Sequence, residues 1–112
     1  MREWPQPTTV GELAHARSGD KGDRVNIGVI ATDEAAFERL GEQLTAARVA
    51  AHFEGLIDGD VTRYRLENIH AFNFVGTQAL DGGGQVSLRY DTQGKTYAAL
   101  LLACELPATT DH

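Results

Sequence analysis

Cysteine occurs once in this chain, at Cys104, which excludes an internal disulfide and suits a reducing cytoplasm. Proline is scarce as well, and two of the three prolines fall in residues 1–9, marking an irregular lead-in. Long apolar runs are absent. The longest, Ala98–Cys104, is far shorter than a bilayer crossing, and Met1–Pro5 lacks the apolar core of a signal peptide. Cations are outnumbered, 10 Lys and Arg against 16 Asp and Glu, for a net charge of −6. That balance argues against a general nucleic-acid surface, which needs clustered cations. A local group such as Arg17, Lys21 and Arg24 still suffices for an anionic ligand. Neither nucleic acid nor membrane is an expected partner, and the expected location is cytoplasmic.

What is present suits one globular domain. The chain has 112 residues, 42% hydrophobic and 23% charged, enough for a single two-layer core. Val10–Arg17 reads as a weakly patterned first strand. Val25, Ile27 and Val29 alternate with Asn26, Gly28 and Ile30 and predict a second. Thr32 or Asp33 caps a helical stretch over 33–54 in which Phe37, Leu40, Leu44 and Ala47 share a face. Thr45 stands where a new cap belongs, so the stretch is expected as two short helices or one kinked one. Val61–Glu67 predicts a strand with Thr62, Tyr64 and Leu66 on the buried side and Arg63, Arg65 and Glu67 in water. Asn68 then caps a predicted helix reaching about Leu80, ended by Asp81-Gly-Gly-Gly84. A strand over Val86–Tyr90, a turn at Thr92–Lys95, an interior strand over Thr96–Leu106 and a frayed tail over 107–112 complete the expectation. Two helices burying one face each against a mostly antiparallel sheet make an α+β two-layer sandwich, helices on one side.

Two groups of residues carry possible chemistry. The first is the loop Gly19–Arg24 between the first two strands. Backbone N–H groups around Gly19 and Gly22 can form an anion-binding nest, with Lys21 or Arg24 adding charge. It is neither a P-loop nor a dinucleotide fingerprint, because the glycine spacing is wrong and a strand follows. It has too few carboxylates for a calcium loop. The plain alternative is a solvated turn steadied by its aspartates. The second group is Asn68, His70, Asn73 and Phe74. A histidine at a helix start can act as hydrogen-bond donor or general acid/base, and Asn73 can orient a carbonyl or carboxylate. The plain alternative is a helix cap beside a surface histidine. Cys104 sits in an apolar run and reads as a buried structural thiol. His15, His52, His70 and His112 lack metal-ligand spacing, and no metal site is expected.

The stretch Ala16-Arg-Ser-Gly-Asp-Lys-Gly-Asp-Arg-Val-Asn-Ile-Gly-Val-Ile-Ala31 resembles the opening motif of the ferredoxin-like domain found at the C-terminus of acyclic terpene utilisation protein A (AtuA). Val61-Thr-Arg-Tyr, Asn68-Ile-His-Ala-Phe-Asn-Phe-Val75 and Ala79-Leu-Asp-Gly-Gly-Gly84 resemble its second block. The likeness covers residues 10–106 and implies a ferredoxin-like plait in shape alone. One cysteine cannot ligate an iron–sulfur cluster, and no cofactor is implied. The resemblance implies a domain that follows a large N-terminal domain or stands alone, and the stand-alone form is expected here. It also implies a link to catabolism of branched or isoprenoid acids as CoA thioesters. The positions it marks for a ligand or partner are Ser18, Gly19, Asp20, Lys21, Gly22, Asn26, Asn68, His70 and Asn73. Among them Asp20, Lys21 and His70 are the candidate catalytic residues.

Three functions follow. The leading one is an accessory subunit, or binding domain, that packs on a large AtuA-type partner with the Gly/Asp/Lys loop at the joint site. A hydratase or dehydratase acting on an acyl-CoA or carboxylic acid is the second. There Lys21 or Arg24 holds the anion, Asp20 or His70 moves the proton, and both motifs must converge in one concave pocket. The third is an oligomeric binding module without catalysis, homo- or hetero-oligomeric.

Overall fold

The computed structural model describes residues 4–79 and 94–109, with Asp20, Lys21 and residues 94–96 described by backbone alone. Thr8–Thr9 (β1) leads into one helical turn, Val10–Leu13 (α1), and the chain then extends as Ala14–Lys21 (β2). The strand expected over Val10–Arg17 is therefore divided. Val10 and Leu13 are three apart, a spacing that a helical turn brings to one side and a strand does not. Val10 is fully buried and Leu13 packs on the core. The Val10 N–H donates to the Cys104 carbonyl at 3.0 Å, and Thr32 N–H donates to the Leu13 carbonyl at 2.9 Å.

β2 pairs with Arg24–Ala31 (β3) from Ala14 opposite Ala31 to Lys21 opposite Arg24. The Gly19–Arg24 stretch is thus a tight hairpin rather than an open loop, and only Gly22 and Asp23 lie outside the ladder. Gly22 has φ +63°, where a side chain costs about 1–2 kcal/mol, so glycine is the residue this turn requires. β3 alternates as its sequence predicts, burying Val25, Ile27, Val29 and Ala31.

Two helices follow, Glu34–Gln43 (α2) and Ala46–His52 (α3). Asp33 accepts from the Ala36 N–H at 2.8 Å and Thr45 from the Arg48 N–H at 3.0 Å. The second cap is worth about 1 kcal/mol and restarts the helix in a new phase, which brings Val49 and Phe53 into the core off the stripe of Phe37, Leu40 and Leu44.

Val61–Leu66 (β4), a 3₁₀ turn at Glu67–Ile69 and Ala71–Gly76 (β5) come next. The helix expected from Asn68 is a strand instead. Ile69, Phe72 and Gly76 satisfy a helical spacing, but Phe72 and Phe74 are buried two apart, and β5 is hydrogen-bonded on both edges between β3 and β4. The opposite correction applies to Thr96–Leu106. Gly94–Leu102 is a helix (α4), followed by Glu105–Leu106 (β6). Tyr97 and Leu101, four apart, are fully buried. A run apolar on all sides does not reveal its period. The expected turn at Asp81–Gly84, the strand over Val86–Tyr90 and the start of the Thr92–Lys95 turn lie outside the described residues.

The main sheet has the order β2-β3-β5-β4 with every neighbour antiparallel, while β1 and β6 form a small separate ladder. From β3 the chain passes through α2 and α3 to β4, leaving a gap that β5 fills. This split crossover belongs to the ferredoxin-like plait. Core side chains of the sheet meet Phe37, Leu40, Leu44, Val49, Phe53, Tyr97 and Leu101 from the helices. The fold is an α+β two-layer sandwich.

Candidate binding face

The strand register fixes what the opposite face of the sheet presents. Because side chains alternate, residues between the buried positions of each strand share the other side. Three rows result, reading from β4 to β2: Leu66, Ala71, Ile30, His15; then Tyr64, Asn73, Gly28, Arg17; then Thr62, Val75, Asn26, Gly19. No described helix covers this face. Ile30, Tyr64 and Leu66 are 44%, 52% and 43% exposed, and Ile69 in the adjoining 3₁₀ turn is 58% exposed. None of the twelve positions is aspartate or glutamate, in a chain with 16 acidic residues.

β4 alternates as expected, but in the opposite phase. Thr62, Tyr64 and Leu66 form its exposed side, and Arg63 and Arg65 turn toward the helices. Arg63 Nη1 donates to the carbonyls of Gly41 at 3.1 Å and Leu44 at 3.0 Å, satisfying the C-terminal end of α2. Its guanidinium lies 4.8 Å over Phe72, and burial there lowers its pKa, with help from neighbouring Arg65. Arg65 lies 4.7 Å over Phe37 and pairs with Glu67 at 2.9 Å. Helix-end carbonyls and aromatic faces thus hold two arginines that a hydropathy pattern assigns to water.

The marked residues divide among three places. Gly19, Asn26 and Asn73 meet on the open face. Ser18 stands on the helix side, where its Oγ accepts from the Ala98 N–H at 3.0 Å. Asp20 and Lys21 are the last residues of β2, and Gly22 opens the turn. At the far end, Asn68 is exposed in the 3₁₀ turn, and His70 is left-handed at φ 52° with its ring 5.1 Å from that of Phe37. The His70 carbonyl accepts from the Ala31 N–H at 2.9 Å, locking the start of β5 to the end of β3. Arg24 closes the hairpin and Ala31, seven residues on, bonds to His70, so the hairpin turn and His70 sit at opposite ends of the sheet, about 23 Å apart at strand rise. The arrangement joins Asn26 to Asn73 and separates Asp20 and Lys21 from His70.

The cavities lie off this face, although one of them shares Arg17 with it. One of about 620 Å³ is lined by Ala16, Arg17, Ser18, Ala98, Ala99 and Leu102, between β2 and α4. Another, near the chain ends, is lined by residues including Thr9, Arg48 and Pro107. A third includes His52 and Cys104. None of the three is lined by both motifs. Burial pushes the Cys104 thiol pKa upward, and the side chain is shut away from solvent. No group of three potential metal ligands occurs among the described residues, and no described helix is long and apolar enough to cross a membrane.

Sequence reasoning passed over Gly28, Ile30, Tyr64, Leu66 and Ile69 as parts of a surface. Their signal is the same period of two that marks the core of β3, read for its other face. The family model for the AtuA ferredoxin-like domain matches residues 8–107. The chain belongs to that family. No curated protein and no solved structure matches it. Membership agrees with the plait, and the two AtuA-like motifs are the strands that build the middle of its open face.

Proposed function

We propose that this AtuA-family domain is an accessory subunit or binding domain that docks on a larger AtuA-type protein through the open face of its sheet. It would serve the catabolism of branched or isoprenoid acids or their CoA thioesters in the cytoplasm, with residues 10–106 as the docking unit. One observation carries this function: both motifs place residues side by side on a face that no described helix covers and that exposes Ile30, Tyr64 and Leu66. Apolar residues exposed on one sheet face favour a protein partner, and a face without carboxylates suits an acidic one. The domain name itself points to association with a larger AtuA-type protein.

Co-expression of this chain with an AtuA-type large protein tests the function by size-exclusion chromatography. Co-elution is expected, and Ile30→Glu together with Leu66→Glu abolishes it while the circular dichroism of the isolated chain stays unchanged. Independent elution at micromolar concentration overturns the docking function. A homodimer in analytical ultracentrifugation, lost in the same double variant, assigns the face to a second copy instead.

A further inference from the structure

Gly28 is a gap in the side-chain cover of the open face. Its register partners are Arg17 on β2 and Asn73 on β5, and along β3 it lies between Asn26 and Ile30. A Cβ built on Gly28 meets no atom of the described residues nearer than the Arg17 carbonyl oxygen at 4.0 Å, so crowding by them does not explain the glycine. Glycine weakens a strand interior, and an uncrowded one leaves room for another group to approach the backbone. Arg17 and Asn73 stand about 10 Å apart across this gap, two interstrand spacings, which is room for one small planar group.

The walls have matching chemistry. The side chains of Arg17, Asn26 and Asn73 make no hydrogen bond or ion pair with any described residue. They offer one guanidinium and two carboxamides as donors, and no carboxylate stands at the face positions around them. A guanidinium matches the two oxygens of a carboxylate in a bidentate pair. A phosphate dianion carries more charge than this single cation offsets. Ile30 adds an apolar flank for the carbon attached to the carboxylate.

We infer that the cup over Gly28 is a carboxylate-binding site: Arg17 pairs with the two oxygens, Asn26 and Asn73 donate from their amides, and Ile30 contacts the adjoining carbon chain. The carboxylate comes either from an acidic side chain of a docked protein or from a free organic acid, and the inference rests on the docking function for the first source alone.

Nuclear magnetic resonance of the isolated ¹⁵N-labelled chain tests it, with hexanoate as probe and hexylammonium as control at constant ionic strength. Hexanoate is expected to shift the amides of Arg17, Asn26, Gly28 and Asn73 saturably. Arg17→Gln and Gly28→Val each weaken that binding at least tenfold, and Arg24→Gln changes it less than twofold. The same spectra report whether each variant is folded. Absence of a saturable shift, equal shifts with hexylammonium, or unchanged binding in both Arg17→Gln and Gly28→Val overturns the site. In the complex with an AtuA-type protein, displacement of the partner by hexanoate assigns the carboxylate to the partner, and hexanoate binding without displacement assigns it to a free acid. Failure of that complex to form removes the docking function and leaves the cup to be judged by the titration.

Discussion

The guanidinium of Arg63 donates to the carbonyl of Leu44 at 3.0 Å, so a strand residue finishes a helix on the other layer of the sandwich. The same nitrogen serves Gly41, and the ring of Phe72 lies beneath. Hydrogen bonds from a charged donor contribute about 1.5–3 kcal/mol each when their removal leaves acceptors unpaired. Arg63→Met is therefore expected to destabilise the chain by about 2 kcal/mol in urea unfolding. Arg63→Lys recovers little of this, because an ammonium lacks the planar surface that stacks on Phe72. An unchanged urea midpoint in Arg63→Met would refute the role.

Arg39 predicts the behaviour of the chain ends. It is only 7% exposed, donates to Gln6 and Pro107 carbonyls at 2.8 and 3.2 Å, and lies 5.6 Å over Trp4. Gln43 accepts from it at 2.8 Å and donates to Pro107 at 2.9 Å. Arg39→Met takes the donor from the Gln6 carbonyl, leaves Pro107 with Gln43 alone, and removes the cation beside the indole. Trp4 is the only tryptophan, so its emission reports this site alone. The expected outcome is a red shift and readier acrylamide quenching, together with faster proteolysis before Thr8. Identical emission would show that the ends are held by other contacts.

Cys104 makes a prediction about pH. Burial raises its pKa in the folded chain, so the native state keeps its proton where an unfolded thiol loses it. Above the ordinary thiol range of about 8.5, the unfolded state binds fewer protons than the native one, and stability falls as pH rises. Cys104→Ser or Cys104→Ala is expected to flatten that alkaline decline. Ellman's reagent should react with the native chain slowly at pH 8 and promptly in urea. Fast native labelling would contradict the burial.

Much of the fold is legible in the sequence where local chemistry and packing agree. The cap at Thr45 breaks the 33–54 stretch into two helices, and the alternation of β3 names its buried residues. β5 and α4 are misread because pairing and burial decide them. Ile69, Phe72 and Gly76 satisfy a helical period that strand pairing on both sides overrides. The uniformly apolar stretch through α4 has no period to read. β4 shows a third kind of failure, with a correct period and an inverted phase, since Arg63 and Arg65 find carbonyls and rings that no hydropathy scale contains. The site follows the same pattern. Asn26 and Asn73 are marked by motif, but their meeting depends on a register that brings residues 47 apart into adjacent rows.

The grip on both ends has a practical side. Trp4 bridges Thr109, and β1 pairs with β6, so the two ends leave the domain side by side against α2, on the layer away from the open face. A short peptide joining them and a new opening at the Gly22–Asp23 turn make a circular permutant that keeps every strand pair. A surface tether at either end likewise presents the cup over Gly28 outward, ready for immobilised binding measurements.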